Sequence, residues 1–195
     1  MNKIERYLLD RARFAPGDRV TPRRPAGLRG PVSLPAPGGL THLQFRRYAG
    51  CPVCNVHLRT FAVRHADLTA VGLHEIAVFH SPAEDLLPHH EALPFDVVAD
   101  PGKELYEAFG VGRSVRSVLH PRAWLAPVRP STYGVVMRGV FRGGRPYPRS
   151  GENVTGLPAD FLLDPDGVLL AVRYGRHAAD QWSVEDLLAL ARSHA

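Results

Sequence analysis

From Leu40 onward the apolar residues of this chain change period element by element. Leu43 and Phe45 alternate with polar neighbours over residues 40–48, the period of two that marks a strand. Cys54, Leu58, Phe61, His65 and Leu68 then recur at spacings of four and three, which places them on one helix face. Pro52 suits the first helical position, where its missing N–H costs nothing. Gly72 supplies the stop, so one helix is predicted over residues 52–71. A second strand follows over residues 73–79. Ser81-Pro82-Ala83-Glu84 has capping-box spacing and opens another helix, which Pro88 shortens. Residues 95–99 read as a third strand. Asp100-Pro101 then starts a helix that Gly110 ends.

The pattern weakens over residues 111–156 and returns at 159–163. Asp164-Pro165-Asp166-Gly167 is a turn signal, and residues 168–174 form the return strand of a hairpin. Ser183 caps a last helix that buries Leu187, Leu188 and Leu190. Before Leu40 a short helix is expected over residues 2–13. Pro16, Pro22, Pro25, Pro31, Pro35 and Pro37 then preclude long regular structure. The expected organisation is an irregular extension, residues 1–38, followed by one domain, residues 39–195, with an insert at about 111–156. Helices between the first three strands imply parallel pairing by right-handed crossovers. The hairpin adds antiparallel strands. The fold class is therefore α/β, with a mixed central sheet flanked by helices.

Composition narrows the setting. At 195 residues the chain is long enough for one substantial core. No apolar run approaches the roughly 20 residues of a spanning helix, and the start lacks the apolar stretch of a secretory signal. A cytoplasmic, non-membrane protein is expected. The net charge is +5, and the positive charge is nearly all arginine. Arg113, Arg116, Arg122, Arg129, Arg138, Arg142, Arg145 and Arg149 fall in a stretch without acidic residues. That stretch reads as a solvated basic surface or as a contact for an anionic substrate or partner. No nucleic-acid-binding motif accompanies it.

The candidate chemistry lies in Gly50-Cys51-Pro52-Val53-Cys54, which holds the only two cysteines. They stand at a predicted strand-to-helix junction, where free N–H groups and the helix dipole favour a thiolate. Cysteines at i and i+3 of a first turn share a face about 5–6 Å apart and need only a small adjustment to bond. In the cytoplasm this favours a cycling dithiol over a structural disulfide. On helix-cap geometry Cys51 faces solvent and attacks, while Cys54 lies closer to the core and resolves the mixed disulfide. Arg46 and Arg47 either project to solvent or turn toward the thiolate. Tyr48 is a candidate hydrogen-bond donor or a core residue, and His57 is placed to tune the thiols from the same helix. The cysteine spacing also suits zinc, but no second CxxC or HxxxH follows at finger spacing, so no metal or other cofactor is expected.

Strand, CxxC, helix, and then the run Leu157-Pro158-Ala159-Asp160-Phe161-Leu162-Leu163-Asp164 together resemble the thioredoxin-fold superfamily. More closely, the chain resembles the peroxiredoxin-like proteins of the alkyl hydroperoxide reductase/thiol-specific antioxidant group. The stretch from Arg46 to Cys54 is similar to that of the branch containing selenoprotein U relatives. The resemblance implies a thioredoxin-like fold and a thiol-dependent oxidoreductase that reduces hydroperoxides or protein disulfides. An external thiol donor would restore it, and a homodimer is possible.

Two departures qualify the likeness. Neither cysteine keeps the Pro-x-x-x-Thr/Ser-x-x-Cys motif of peroxiredoxins. With Cys54 in the peroxidatic position, Cys51 and Arg47 fall at the Thr/Ser and Pro positions. With Cys51 there, Tyr48 and Gln44 do. Pro158 stands where peroxiredoxins have an arginine, and after Leu157 it resembles the cis-proline that thioredoxins place beside their dithiol. The expected site is thus Cys51 and Cys54, supported by Pro158, Leu157, Pro52, Tyr48 and Arg47, with the order of the two thiols open. A non-catalytic redox-sensing or partner-binding module of the same fold is the alternative.

Overall fold

A computed structural model describes residues 13–112 and 156–194. The helix expected at the N-terminus and nearly all of the arginine-rich insert lie outside these residues.

The elements follow the hydrophobic periods. The strands are β1 (Ala26–Gly27), β2 (Gly30–Pro31), β3 (Leu40–Phe45), β4 (Leu73–Phe79), β5 (Asp96–Ala99), β6 (Ala159–Leu163) and β7 (Leu169–Tyr174). The helices are α1 (Pro52–Val63), α2 (His65–Ala70), α3 (Ala83–His90), α4 (Glu104–Ala108) and α5 (Val184–Ser193). They build a seven-stranded sheet of order β2-β1-β5-β4-β3-β6-β7. β3 pairs parallel with β4, and β4 with β5. β6 and β7 join antiparallel beside β3, as the hairpin signal implied.

The two faces of the sheet carry different cores. Leu43, Phe45, Ile76, Val78, Phe161 and Leu163 meet Tyr106 and Phe109 on one face. Ala77, Phe79 and Leu162 meet Leu58, Phe61, Leu68, Trp182, Leu187 and Leu188 on the other, and this cluster includes both cysteines. Both faces are covered, so the polar positions of β3, Thr41, His42 and Gln44, are buried as fully as the apolar ones, and so is Arg46 just past its end.

Three local expectations shift. The helix predicted over residues 52–71 breaks at Arg64 into α1 and α2. Thr60 Oγ1 donates to the His57 carbonyl one turn before the break, a side-chain bond that bends helices. Ser81 does not cap α3; Pro82 is its N-cap and makes no side-chain cap bond. The Ser81 hydroxyl instead accepts the N–H of Ala49 at 2.8 Å. The helix after Asp100-Pro101 starts only at Glu104, with the Asp100 carboxylate accepting the N–H groups of Glu104, Leu105 and Tyr106. Ser183 does cap α5, in a reciprocal box with Asp186.

Within residues 13–38 the prolines keep long elements out. Val20, Val32 and Leu34 are nevertheless buried, and β1 docks on β5 through Gly27 and Val98.

Candidate active site

The end of β3 delivers the site. The chain leaves the sheet after Phe45, with the Arg46 N–H still bonded to the Val78 carbonyl at 2.8 Å, and turns into α1 at Cys51. Cys51 is the N-cap, extended at φ −66° and ψ 111°, and Pro52 follows inside the first turn. The Cys51 sulfur accepts the Cys54 N–H at 3.4 Å, which satisfies one of the helix's orphan donors. The loop before it is held from three sides. Besides the Ser81 bond, the Ala49 carbonyl accepts from Asn55 Nδ2 at 3.1 Å and faces His90 Nε2 at 3.4 Å.

Both cysteines are free thiols. Cys51 has 0 % and Cys54 1 % of its surface exposed. This corrects the helix-cap expectation of a solvent-facing Cys51: the residue lies buried in a cluster that includes Tyr48, Ala49 and Cys54. Arg47 is turned to the sulfurs rather than to solvent. Its Nη2 lies 3.0 Å from Cys51 Sγ, and its guanidinium stands 5.9 Å from the Tyr48 ring centre.

These contacts split the two thiols. Burial opposes ionisation of both. At Cys54 it is overcome by the hydrogen bond from the Cys51 thiol, by the charge and backbone N–H of Arg47, and by the charge of Arg46, so that its pKa falls to about 6. At Cys51 burial, reinforced by the bond to Cys54 and repulsion from it, pushes the pKa well up despite Arg47. The cation opposite them stays charged: burial works against it, but both sulfurs hold the Arg47 pKa above its usual value.

Arg46 points the other way, under α1 and along the sheet. Its Nη2 donates to Asp160 Oδ1 at 2.8 Å and to Gln44 Oε1 at 2.6 Å. Asp160 Oδ1 also faces His42 Nε2 at 3.3 Å, and Oδ2 accepts the Trp182 N–H at 3.1 Å. His42 Nδ1 meets Glu75 Oε2 at 2.8 Å, and the Gln44 amide donates to the same oxygen. With a carboxylate on each ring nitrogen, His42 is raised to about 9 although burial opposes it. Asp160 is driven well below the usual carboxylate range by Arg46 and His42, again against burial. His57, one turn after Cys54, is held down to about 3 by burial and by Arg46, so it is neutral. None of His42, Glu75 or Asp160 was singled out as a site residue from the sequence, and Gln44 entered only as a motif position. The available signal was their polar character at strand positions that a sheet covered on both faces must bury.

Leu157 and Pro158 do not form the expected cis-proline. Among the described residues the only cis peptide bond is Leu34–Pro35, so Leu157–Pro158 is trans. Pro158 is buried at the start of β6, one residue beyond the Ala159–Phe45 pair. Its carbonyl accepts the Gly175 N–H at 2.9 Å, a bond that continues the β6–β7 ladder and leaves the carbonyl committed within the sheet. Among the described residues no group of three or more His, Cys, Asp or Glu is placed to hold a metal ion, and no helix is long and apolar enough to cross a membrane.

Several solved peroxiredoxins share this fold. Peroxidoxin BcpB from Mycobacterium tuberculosis superposes with a TM-score of 0.66 at 17% identity, over 92% of this chain and 97% of that one. Peroxiredoxin 6 of Arenicola marina gives 0.65 at 16% identity, over 93% and 73%. Xanthomonas campestris peroxiredoxin Q gives 0.60 at 16%, over 90% and 92%. At such identities the likeness establishes the thioredoxin-like fold alone. No curated protein matches the chain in sequence. The sequence profile of the AhpC/TSA antioxidant enzymes matches residues 60–177, which begins just past the two cysteines. That match spans well over half of the chain, and the protein belongs to the AhpC/TSA antioxidant enzyme family of peroxiredoxin-like proteins.

Proposed function

We propose that the protein is a thiol peroxidase in which Cys54 is the attacking thiolate and Cys51 the resolving thiol. The observation that carries this reading is a pair of neighbouring sulfurs buried against the Arg47 guanidinium, an arrangement that lowers Cys54 and raises Cys51. Cys54 is the anion at neutral pH, while Cys51 keeps its proton and donates it toward Cys54. The thiolate is the nucleophile. It attacks one peroxide oxygen; the S–O bond forms, the O–O bond breaks, and the leaving alkoxide or hydroxide takes a proton. Cys54 is then a sulfenic acid. The Cys51 sulfur condenses with it, forming the S–S bond and releasing water. An external thiol restores the pair by exchange. The chemistry uses the two cysteines and no other cofactor. A reducing, cytoplasmic setting supplies the donor.

Burial favours a hydroperoxide over a protein disulfide. A disulfide must align its own sulfur with the attacking one, and both sulfurs here are sealed, whereas a peroxide needs only a small opening. The trans Pro158, its carbonyl committed within the sheet, points the same way. This order of thiols differs from the one expected from helix-cap geometry.

The test is to oxidise single variants with hydrogen peroxide in the presence of dimedone. Cys51→Ser is expected to carry the label on Cys54, and Cys54→Ser is expected to lose peroxide reactivity. Labelling confined to Cys51 would reverse the assignment. If the wild-type pair consumed no peroxide yet exchanged with a disulfide, the peroxidase reading would give way to a reductase.

A further inference from the structure

We infer that Arg46 and Asp160 form a positioning pair for the thiol site, a buried ion pair on the sheet that sets how much positive field reaches the Cys54 sulfur. The inference rests on Cys54 being the reactive thiolate, as proposed above. Arg47 contacts sulfur directly, but its neighbour Arg46 spends its hydrogen bonds on Asp160, Gln44 and the Phe45 carbonyl. Its backbone is fixed too: the Tyr106 hydroxyl donates to the Arg46 carbonyl and the Arg46 N–H is bonded to Val78. A cation locked in this way cannot swing onto the sulfur. It acts at a set distance, and Asp160 opposes it.

The charges around the site balance. His42 has a carboxylate oxygen beside each ring nitrogen, so both nitrogens donate and the ring is a cation. Arg46, Arg47 and His42 then face Asp160, Glu75 and the thiolate, three charges of each sign. Arg46, His42, Glu75 and Asp160 are at most 3 % exposed. Water screens little here, so removing one charge leaves its opposite uncompensated. Among the described residues, Cys51 keeps its proton, and His57 from α1 and Tyr106 from α4 are neutral, so they add no charge beside Cys54.

The two members of the pair therefore act with opposite sign. Arg46 lowers Cys54 through its charge, and one unit charge acting on a buried thiol at an effective dielectric near 20 changes its acidity by roughly tenfold. Asp160→Asn removes the counter-charge and should make Cys54 about tenfold more acidic. Arg46→Gln removes the cation and should make it about tenfold less acidic. A merely structural pair gives shifts of one sign, or none, because either substitution loosens the same contacts.

The measurement is the pH dependence of alkylation by iodoacetamide, with the modified cysteine identified by mass spectrometry. Opposite shifts support the inference; shifts of equal sign, or no shift in either variant, overturn it. Glu75→Gln is the control. Its carboxylate touches His42 and Gln44, and His42 can shed its proton in compensation, so stability should fall while Cys54 acidity stays within about twofold. Should Asp160→Asn fail to fold, Arg46→Gln decides alone: unchanged or increased acidity refutes the pair. The wild-type titration separates the two layers. If Cys54 itself shows no titration near pH 6, the assignment of the reactive thiolate fails, whatever the variants do.

Discussion

Replacing Arg47 by methionine removes the one guanidinium that touches the sulfurs among the described residues, while keeping an unbranched side chain in its place. The contact to Cys51 Sγ is 3.0 Å long and 92 % of the arginine's surface is buried, so solvent does little to replace it. Arg47 lowers Cys54 through its charge, and an opposite charge a few ångströms away is worth roughly one to two pKa units at the thiolate. Cys54, starting at about 6, should move to about 7–8. The thiolate fraction at pH 7 would drop from about nine-tenths to between about a tenth and a half. The second-order rate with hydrogen peroxide at pH 7, followed by stopped-flow loss of free thiol, should fall by about twofold to tenfold from this cause alone. Much of that loss should be recovered at pH 9, where the variant's thiol is again ionised. Arg47→Lys should lie between, since an ammonium keeps the charge but loses the planar fork. A thiol titration left where it was in Arg47→Met would refute the electrostatic account of Cys54. A rate deficit that persisted undiminished at pH 9 would assign Arg47 to peroxide binding instead.

The buried ions also make stability depend on pH. His42 is raised from 6.5 to about 9, so its contribution is complete below about pH 6.5 and is lost as pH climbs through 9. Integrated over that interval it amounts to roughly 3 kcal/mol, read as a fall in the urea midpoint between pH 6 and 10. Asp160 is lowered, so its contribution is present above its unfolded value near 4 and disappears as pH falls below it; the midpoint should drop on the acid side as well. Ser81→Ala leaves the buried Ala49 N–H without its acceptor and should cost about 1–3 kcal/mol in denaturant titration. Ser183→Ala removes the cap of α5 and should cost about 1 kcal/mol, with the alkylation rate of Cys54 unchanged because the cap lies outside the thiol site. A changed rate in that variant would show that α5 is coupled to the dithiol.

Much of the framework was legible along the chain because it depends on local periods. The alternation in Leu40–Phe45 and the four-three spacing of Cys54, Leu58 and Phe61 are consequences of strand and helix geometry, and both elements appear where those patterns placed them. Caps were less legible, since a hydroxyl has several possible partners. Ser183 found its own helix, whereas Ser81 was claimed by a loop 32 residues away in sequence. Pro158 failed for a related reason. Its neighbours in sequence resemble those of a cis-proline, but the isomer depends on what β6 and β7 require of that bond, and here its carbonyl extends their ladder.

By itself the sequence determined the alternating elements, the mixed sheet and the position of two cysteines at the mouth of a helix, because each is written within a few consecutive residues. Only the tertiary structure decided which charges surround the two sulfurs. That setting depends on Arg47 folding back to Cys51 and on Arg46, His42, Glu75 and Asp160 meeting in one buried network. These residues come from three strands up to 118 positions apart, and no local pattern can weigh charges that approach one another only when the sheet has formed.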